Sequence, residues 1–562
     1  MLDSEIKNLI LKHIVQNIVK YGSVNEKAVM GKLMAEVPDL RKKAKEVLLV
    51  VRESINEFEE LEPESKKILF EKFKEREVVR KSEEKMLPPL KNAVKGKVIM
   101  RFAPNPNGAA TLGSARGIII NSEYARMYDG KFILRFDDTD PRTKRPLLEA
   151  YDWYLEDCEW LDIKPDRVLY ASKRISKYYE FCEKLLEMEK AYPCFCSQEE
   201  FRKYKTGGFE CPHRSTEVED SLGIWKKMLE GEYEEGEVVI RIKTDMAHKD
   251  PAIRDWVAFR IIYQDHPLVG DRYHVYPLLD FESAIEDYLS GITHILRGKD
   301  LIDSERRQKF VYDYFGWKYP ETRHWGRVKI HEFGKLSTSS IAEEIASGKF
   351  SGWDDPGLPT VRALRRRGFK PEAIKKFFLS LGVAENDVSV SLKNLYAENR
   401  KIVDVEANRY FFVWNPVNLK IEGVEDAEVL IPLNPENKDA GFRRLKGSAE
   451  VMITRDDFDR IGEGEVVRLK EFCNILIENK EKGAARFIGS GLEGIKKGKN
   501  IIHWLSRENA VPCVVLGVER DFSGYAEKNS LNDLGNVVQF ERFAFCRIES
   551  FDKKITAVYT HP

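Results

Sequence analysis

The chain reads as a multidomain protein of α/β plus all-β class, with a helical domain in front, an α+β insertion in its middle and β-barrels behind. Three observations predict this. Short apolar runs alternate with amphipathic helical periods between residues 97 and 345. A cysteine-bearing stretch over 191–272 interrupts that alternation. From about Val403 onward, runs rich in Val, Ile and Phe are separated by Gly, Asn, Asp and Pro at frequent intervals. At 562 residues the chain is also too long for a single core and should divide into roughly three to five domains.

Residues 1–95 form the first expected domain. Ile6, Ile10, Ile14 and Ile18 recur at helical spacing, and Pro38, Pro63 and Pro88-Pro89 punctuate the segment. A linker around Leu87–Gly96 joins it to the next domain. Its basic tract Arg41-Lys42-Lys43 reads as a solvated helix face in preference to an RNA grip.

Residues 97–190 open the α/β core. Val98–Phe102 reads as a buried strand, a Pro- and Gly-rich turn follows, and a helical period runs from about Leu112 to Tyr128. A second strand, Lys131–Phe136, delivers the acidic cluster Asp137-Asp138-Thr139-Asp140. Such a strand–turn–helix–strand unit places ligands at the carboxyl ends of its strands. Helices are expected over Leu147–Leu161 and Ser176–Met188.

The insertion, 191–272, carries a helix near Ile224–Leu229 and strands at Val238–Ile242 and Trp256–Tyr263. The α/β pattern resumes over 273–345, with strand-like Thr293–Leu296 ending on an arginine and the polar loop Lys335-Leu336-Ser337-Thr338-Ser339 further on. A basic helical segment occupies 346–402, and 403–562 is the barrel region.

Composition narrows the function. With 92 basic against 93 acidic residues the net charge is near zero, so a nucleic-acid surface has to be a local patch. No apolar run is long enough to cross a bilayer, and the first twenty residues mix charge into every turn, unlike a signal peptide. Eight cysteines in this length make no disulfide framework, so a reducing, cytoplasmic compartment and no membrane partner are expected.

The turn from Pro104 to Ser114 has a physical use. Gly108 and Gly113 let backbone approach a planar base or a phosphate, and Thr111 and Ser114 lie at a helix amino terminus, where hydroxyls and free N–H groups favour an anion. An ordinary N-capped helix start explains the same residues equally well. The amino-acid-binding reading rests on charge: Arg101, Asp137 and Arg297, each at a strand end, would converge at one sheet edge, and Arg suits bidentate carboxylate binding.

RFAPNPNG, then TLGSARG, then RFDDTDP resemble the signature of the class I glutamyl- and glutaminyl-tRNA synthetases, whose HIGH motif lies in the first stretch. KLSTS at 335–339 resembles the partner KMSKS motif, and WDDPGLPTVRALRRRGF at 353–369 is similar to the segment that follows it. The three stand in the family's order. The resemblance implies a Rossmann-like class I catalytic domain that activates an amino acid with ATP and Mg²⁺ to an adenylate, then passes it to the terminal ribose of tRNA.

Thr111 and Ser114 stand where the family usually has two histidines, and Thr338 where KMSKS has its second lysine. These forms look like the archaeal glutamyl variant. The resemblance therefore implies Thr111, Ser114 and Lys335 as the catalytic groups. It implies Pro104, Asn105, Gly108, Gly113, Asp300 and Ser337 beside them around ATP. Arg101 and Arg297 match positions contacting the glutamate carboxylates, and Asp137 the one holding the α-amino group. Glutaminyl enzymes tend to have a neutral residue at the position of Arg297.

Cys194, Cys196, Cys211 and His213 form a C-x-C…C-x-H set suited to a closed structural Zn²⁺ site, against incidental thiols and a histidine. It falls in the insertion that contacts the tRNA acceptor stem in the family. Arg365-Arg366-Arg367 and Arg443-Arg444-Leu445-Lys446 are candidates for phosphate contacts, each more often a solvated face. The expected partners are L-glutamate, ATP, the tRNA for glutamate with that for glutamine as a second candidate, and a protein for the amino-terminal helices. Two rivals remain open: a glutaminyl enzyme, and a catalytically silent tRNA-binding protein.

Overall fold

A computed structural model describes residues 4–21, 24–37, 40, 43–62, 65–66, 69, 87–333, 338–491 and 500–562. It divides into two units, Met1–Lys85 and Met86–Pro562.

In the first unit, helices α1 (Ser4–Tyr21), α2 (Glu26–Glu36) and α3 (Ala44–Glu60) surround their own core. Ile10 and Ile14 are fully buried there, with Ile6 and Ile18 packed at its edge, as the four-residue spacing requires. Asn25 caps α2 by accepting from the Ala28 N–H at 3.1 Å. Lys43 is exposed, while Arg41, Lys42, Pro38 and Pro63 lie outside the described residues.

The expected linker is part of the second unit. Leu87 and Leu90 sit in the catalytic core. The Pro88 carbonyl accepts from Tyr124 Oη at 2.8 Å, and the Leu90 N–H donates to Tyr128 Oη at 2.9 Å. Two apolar residues three apart in extended chain find a hydrophobic wall, so the first domain ends before residue 95.

The parallel sheet begins with β1 (Ile99–Phe102), helix α4 (Leu112–Met127), β2 (Lys131–Phe136), α5 (Leu148–Trp160) and β3 (Arg167–Tyr170). The order β3-β2-β1 is parallel throughout. Helix α4 is buried around most of its circumference, which matches its apolar run Ile118–Ile120. It lies so close to β1 that a Cβ on Gly117 would overlap the Phe102 ring.

Helix α6 (Ile175–Glu187) leads into the insertion. There β4 (Ala191–Cys194), helices α7 (Gln198–Gly207) and α8 (Val218–Glu230), β5 (Val239–Ile242), β6 (Trp256–Ile261) and β7 (Val275–Pro277) follow. The four strands form an antiparallel sheet in the order β4-β5-β6-β7. Its last strand lies beyond the expected limit at 272. Its core also takes in Tyr178, Leu185 and Phe281, so the insertion shares hydrophobic packing with the helices on either side.

The second half contains α9 (Leu279–Leu289), β8 (His294–Gly298), α10 (Ile302–Tyr314) and β9 (Glu321–Trp325), with β8 and β9 parallel. At the start of β8 the Thr293 N–H donates to the Ile99 carbonyl at 3.1 Å, and its hydroxyl accepts from the Ile99 N–H at 2.9 Å. These bonds set β8 beside β1, giving β3-β2-β1-β8-β9. The strand order reverses between β1 and β8, and a doubly wound sheet opens its crevice at that place.

Beyond β9, β10 (Val328–Ile330) precedes α11 (Thr338–Ala346), α12 (Val361–Arg366) and α13 (Pro371–Leu381), then pairs with β11 (Val388–Val390) before α14 (Leu392–Glu406). The remaining chain makes two seven-stranded sheets and a separate antiparallel pair, Ala427–Pro432 with Phe442–Gly447. In one, the outermost strands are Arg409–Tyr410 and Phe412–Trp414, which are one stretch of chain split only by Phe411. In the other they are Ile501–Ile502 and Leu505–Ser506, again a single stretch. Each sheet therefore closes on itself, leaving no free edge, and both are barrels.

Candidate functional site

Arg101 near the end of β1, Asp137 just after β2 and Arg297 near the end of β8 meet as the sequence predicts. All three line a cavity of about 400 Å³ at the β1–β8 switch point, together with Thr111, Gly113 and Ser114. Each is less than a tenth exposed.

Beneath it lies a charge network. Asp287 on α9 accepts from Arg101 Nε at 3.0 Å and Nη2 at 3.2 Å, and from Arg135 Nη1 at 2.7 Å. Arg135 also donates to both Asp137 oxygens, at 2.6 and 3.2 Å, and to Ser283 Oγ at 2.9 Å. Burial by itself would raise the Asp287 carboxyl, but the guanidinium groups of Arg101 and Arg135 hold it down at about 2. Glu282 is the opposite case. Its oxygens are buried without a hydrogen-bond partner, and burial, reinforced by Asp137, pushes it well above the usual carboxylate range. Its nearest cation is Arg135, whose Nε lies 3.9 Å from Oε1.

Arg297 differs from both neighbours. No carboxylate forms an ion pair with it among the described residues. Its Nη1 donates to Gln308 Oε1 at 3.1 Å, and its Nε is buried without a partner. Sequence reading did not find Arg135, Asp287, Glu282 or Gln308. The available signal was on α9, where Glu282, Ser283, Glu286 and Asp287 put polar groups at i, i+1, i+4 and i+5, the spacing of one buried helix face.

The Pro104–Ser114 turn is an N-capped helix start that also reaches the cavity. Thr111 is the N-cap of α4, accepting weakly from the Ser114 N–H at 3.4 Å, and both side chains also face the cavity. Ser114 Oγ lies 3.2 Å from Tyr154 Oη. The Pro104 carbonyl accepts from the Asp137 N–H at 3.0 Å, and Asn105 Nδ2 donates to the Asp137 carbonyl at 3.0 Å. A Cβ on Gly108 would overlap the Trp353 ring and the Thr338 methyl group, so this turn, the KLSTS segment and the following tryptophan touch at one point. Two backbone bonds tie the turn to that later segment: Leu112 N–H to the Pro359 carbonyl at 2.9 Å, and Val361 N–H to the Ala110 carbonyl at 2.8 Å.

Not every predicted residue is brought in. Asp300 does not line the cavity; it folds against Gly298 and pairs with Arg327 at 3.5 Å on the surface. Lys335 and Ser337 lie outside the described residues. Two basic tracts are corrected in part. Arg367 is fully buried and donates to the Tyr559 and Thr560 carbonyls, and Arg443 is buried against Glu527 at 2.9 Å. Both hold the barrels and cannot grip a phosphate. Arg365, Arg444 and Lys446 remain exposed.

A second, larger hollow of about 740 Å³ shares Ala103, Asp137, Leu279 and Ser304 with the first and opens toward the insertion. Lys144, Lys205, Arg241, Arg260 and Arg307 line it.

The sequence-predicted cysteine set converges. The ligand atoms of Cys194, Cys196, Cys211 and His213 all lie within 4.8 Å of one another. Cys194 Sγ is 3.9 Å from Cys211 Sγ, and Cys196 Sγ is 3.4 Å from His213 Nδ1. A tetrahedral zinc with Zn–S of about 2.3 Å has S···S edges of about 3.8 Å and slightly shorter S···N edges. The two measured edges fit that figure, and 3.9 Å is far too long for a disulfide.

Residues 97–405 match the family described as tRNA synthetases class I (E and Q), catalytic domain, and residues 407–488 the anticodon-binding domain of the same group. A glutamate–tRNA ligase of Archaeoglobus fulgidus is 66% identical over 559 residues, covering 99% of this chain and all of its own. Those of Methanosarcina acetivorans and Methanosarcina mazei are 51% and 50% identical over the full length of both chains.

Proposed function

The chain belongs to the class I tRNA synthetases of the E and Q group, and we propose that it ligates L-glutamate to the 3′ end of its tRNA with ATP, through glutamyl-adenylate. The observation that carries the choice of glutamate is Arg297, a buried cation facing the cavity with no carboxylate of its own. A ligand carboxylate would complete it. A glutamine carboxamide would leave the charge unmatched, and buried polar mismatches of this kind reject a ligand by factors of roughly 10⁴.

In this reading Arg297 receives the side-chain carboxylate and Arg101 the other one through the edge not used by Asp287, while Asp137 takes the ammonium. Asp137 accepts only from Arg135 through its side chain, so lone pairs remain for a cation. Thr111, Gly113 and Ser114 stand at the amino end of α4 as hydroxyl and N–H donors for ATP phosphates. Pro104, Asn105 and Gly108 shape that turn. Lys335 and Ser337 are assigned to the phosphates on sequence resemblance alone, and Asp300 to the rim.

A carboxylate oxygen of glutamate attacks the α-phosphorus, pyrophosphate leaves, and the terminal ribose hydroxyl of tRNA then displaces AMP from the acyl carbon. Mg²⁺ accompanies ATP and offsets phosphate charge. The protein supplies alignment and fixed charges, and no covalent protein intermediate is needed. The larger basic hollow, continuous with the wall of Asp137, is the entry for the tRNA end.

Cys194, Cys196, Cys211 and His213 would hold a structural zinc that staples the end of β4 to the turn at Pro212. Metal analysis of purified protein should find about one equivalent; under half an equivalent sinks that assignment. None of the eight cysteines is joined in a disulfide, in keeping with the reducing, cytoplasmic compartment that the sequence suggests. No described helix is long and apolar enough to cross a membrane.

The decisive assay charges purified tRNAs for glutamate and for glutamine, with each amino acid offered separately. Glutamate is expected to be accepted and glutamine refused. No charging with glutamate, or a preference for glutamine, overturns the reading.

A further inference from the structure

What holds Arg297 is one neutral side chain. Gln308, on α10, is 2% exposed and lines the cavity. Its Oε1 accepts from Arg297 Nη1 at 3.1 Å and from Tyr319 Oη at 2.7 Å. A guanidinium can only donate, so the carboxamide is obliged to turn its oxygen to Arg297 and its NH₂ away. Burial pushes the Tyr319 phenol up, so Tyr319 keeps its proton and is a donor as well. Two donors on one oxygen fix the amide, and the amide fixes the arginine.

We propose that Gln308 is a specificity-determining, positioning residue: it orients Arg297 toward the ligand without placing a carboxylate in contact with it, so the contact ion pair is left for the ligand to make. This rests on the reading of the ligand as free glutamate. The contrast with the neighbouring strand supports it. Arg101 is oriented by a carboxylate, Asp287, which also neutralises it. Gln308 does the orienting without the neutralising. A glutamate at 308 would have the same shape and one negative charge, would pair with Arg297 internally, and would remove the reason for the cavity to demand an acidic side chain.

The test is steady-state charging of the cognate tRNA by the full-length protein and by Gln308→Glu, Gln308→Met and Tyr319→Phe, with glutamate and glutamine as separate substrates. For Gln308→Glu the ratio of kcat/KM for glutamate over glutamine should fall by at least about a hundredfold, mostly through a higher KM for glutamate. Gln308→Met keeps the charge of Arg297 but loosens it. It should raise the glutamate KM about tenfold with a smaller change in the ratio, and Tyr319→Phe should do the same more weakly. The KM for ATP should stay within about twofold in all three, which separates positioning from general damage. Should Gln308→Glu fail to fold, the two neutral variants carry the test through their KM-against-kcat split. A wild-type ratio in Gln308→Glu, or losses in kcat alone in the neutral variants, overturns the proposal. A wild-type protein that does not charge glutamate would instead sink the functional reading itself.

Discussion

On the β1 side of the cavity Arg101 is gripped by Asp287, which Arg135 shares, and Arg135 in turn grips Asp137. On the β8 side Arg297 hydrogen-bonds, among the described residues, to the carbonyl oxygen of an amide and to no carboxylate. Two arginines of similar burial on adjacent strands thus face one space with different amounts of charge left over. The paired side is largely self-satisfied: its ions hold one another, and a ligand meets only the edges of Arg101 and Asp137 that Asp287 and Arg135 leave free. The unpaired side is a demand, because a buried guanidinium without a counter-ion is unfavourable until something anionic completes it. The proposed selectivity for glutamate rests on the side that the protein leaves unfinished.

Breaking the paired side should have the largest effect. Asp287→Ala strands the buried guanidinium of Arg101 and removes one of the two carboxylates on Arg135, and should destabilise the protein by about 3–5 kcal/mol. It should also cost at least about a thousandfold in kcat/KM for glutamate, since each factor of ten is about 1.4 kcal/mol. Chemical denaturation and charging assays read both, and a variant within about twofold of wild type in both would erase the distinction between the two sides.

Arg297→Met comes next and acts on ligand choice more than on folding. Glutamate kcat/KM should drop by about a hundredfold or more while that for glutamine holds or rises, with the midpoint of denaturation little changed. A large loss of stability instead would mean that Arg297 is scaffold too. Arg101→Lys should be milder, about ten- to a hundredfold in kcat/KM, because an ammonium cannot make the two-pronged contact with Asp287; equal losses for ATP and glutamate KM would argue against that account.

Glu282→Gln should be the smallest change, since burial already favours the uncharged form of this side chain. The sign follows from its raised pKa. The folded state binds the proton more tightly than the unfolded one, so wild-type stability falls as pH rises from about 4.5 toward the folded value, and the glutamine variant lacks that slope. Denaturation at pH 5 and pH 8 should show the variant within about 1 kcal/mol of wild type at the lower pH and more stable at the higher. Strong destabilisation at pH 8 would show Glu282 ionised and part of the network.

Much of the site was legible because local pattern and spacing carried it. Val98–Phe102 and Lys131–Phe136 are apolar runs between breakers, and a parallel sheet has to place Arg101 and Asp137 at their carboxyl ends. C-x-C and C-x-H each hold two ligands one residue apart, and helix α7 between them returns the chain so that the pairs meet. Asp287 and Gln308 were not legible. An acid on a helix such as α9 ordinarily faces water, and its partner Arg101 is 186 residues away. Arg367 and Arg443 misled for the same reason: a basic tract looks the same whether barrel carbonyls or solvent receive it.

By itself, then, the sequence determined which elements form, where strands end, and which residues stand at those ends, because backbone sterics and the burial of apolar side chains act over a few residues. It also determined the resemblance that orders the three motifs. Tertiary structure alone decided which charges cancel. Whether a guanidinium is scaffold or binding group depends on the side chain that reaches it from a distant element. Coulomb energy in a buried site depends on separations of a few ångströms, and sequence distance does not encode those separations. Arg101 and Arg297 read alike in the chain. Only in the folded protein is one already paired and the other left for its ligand.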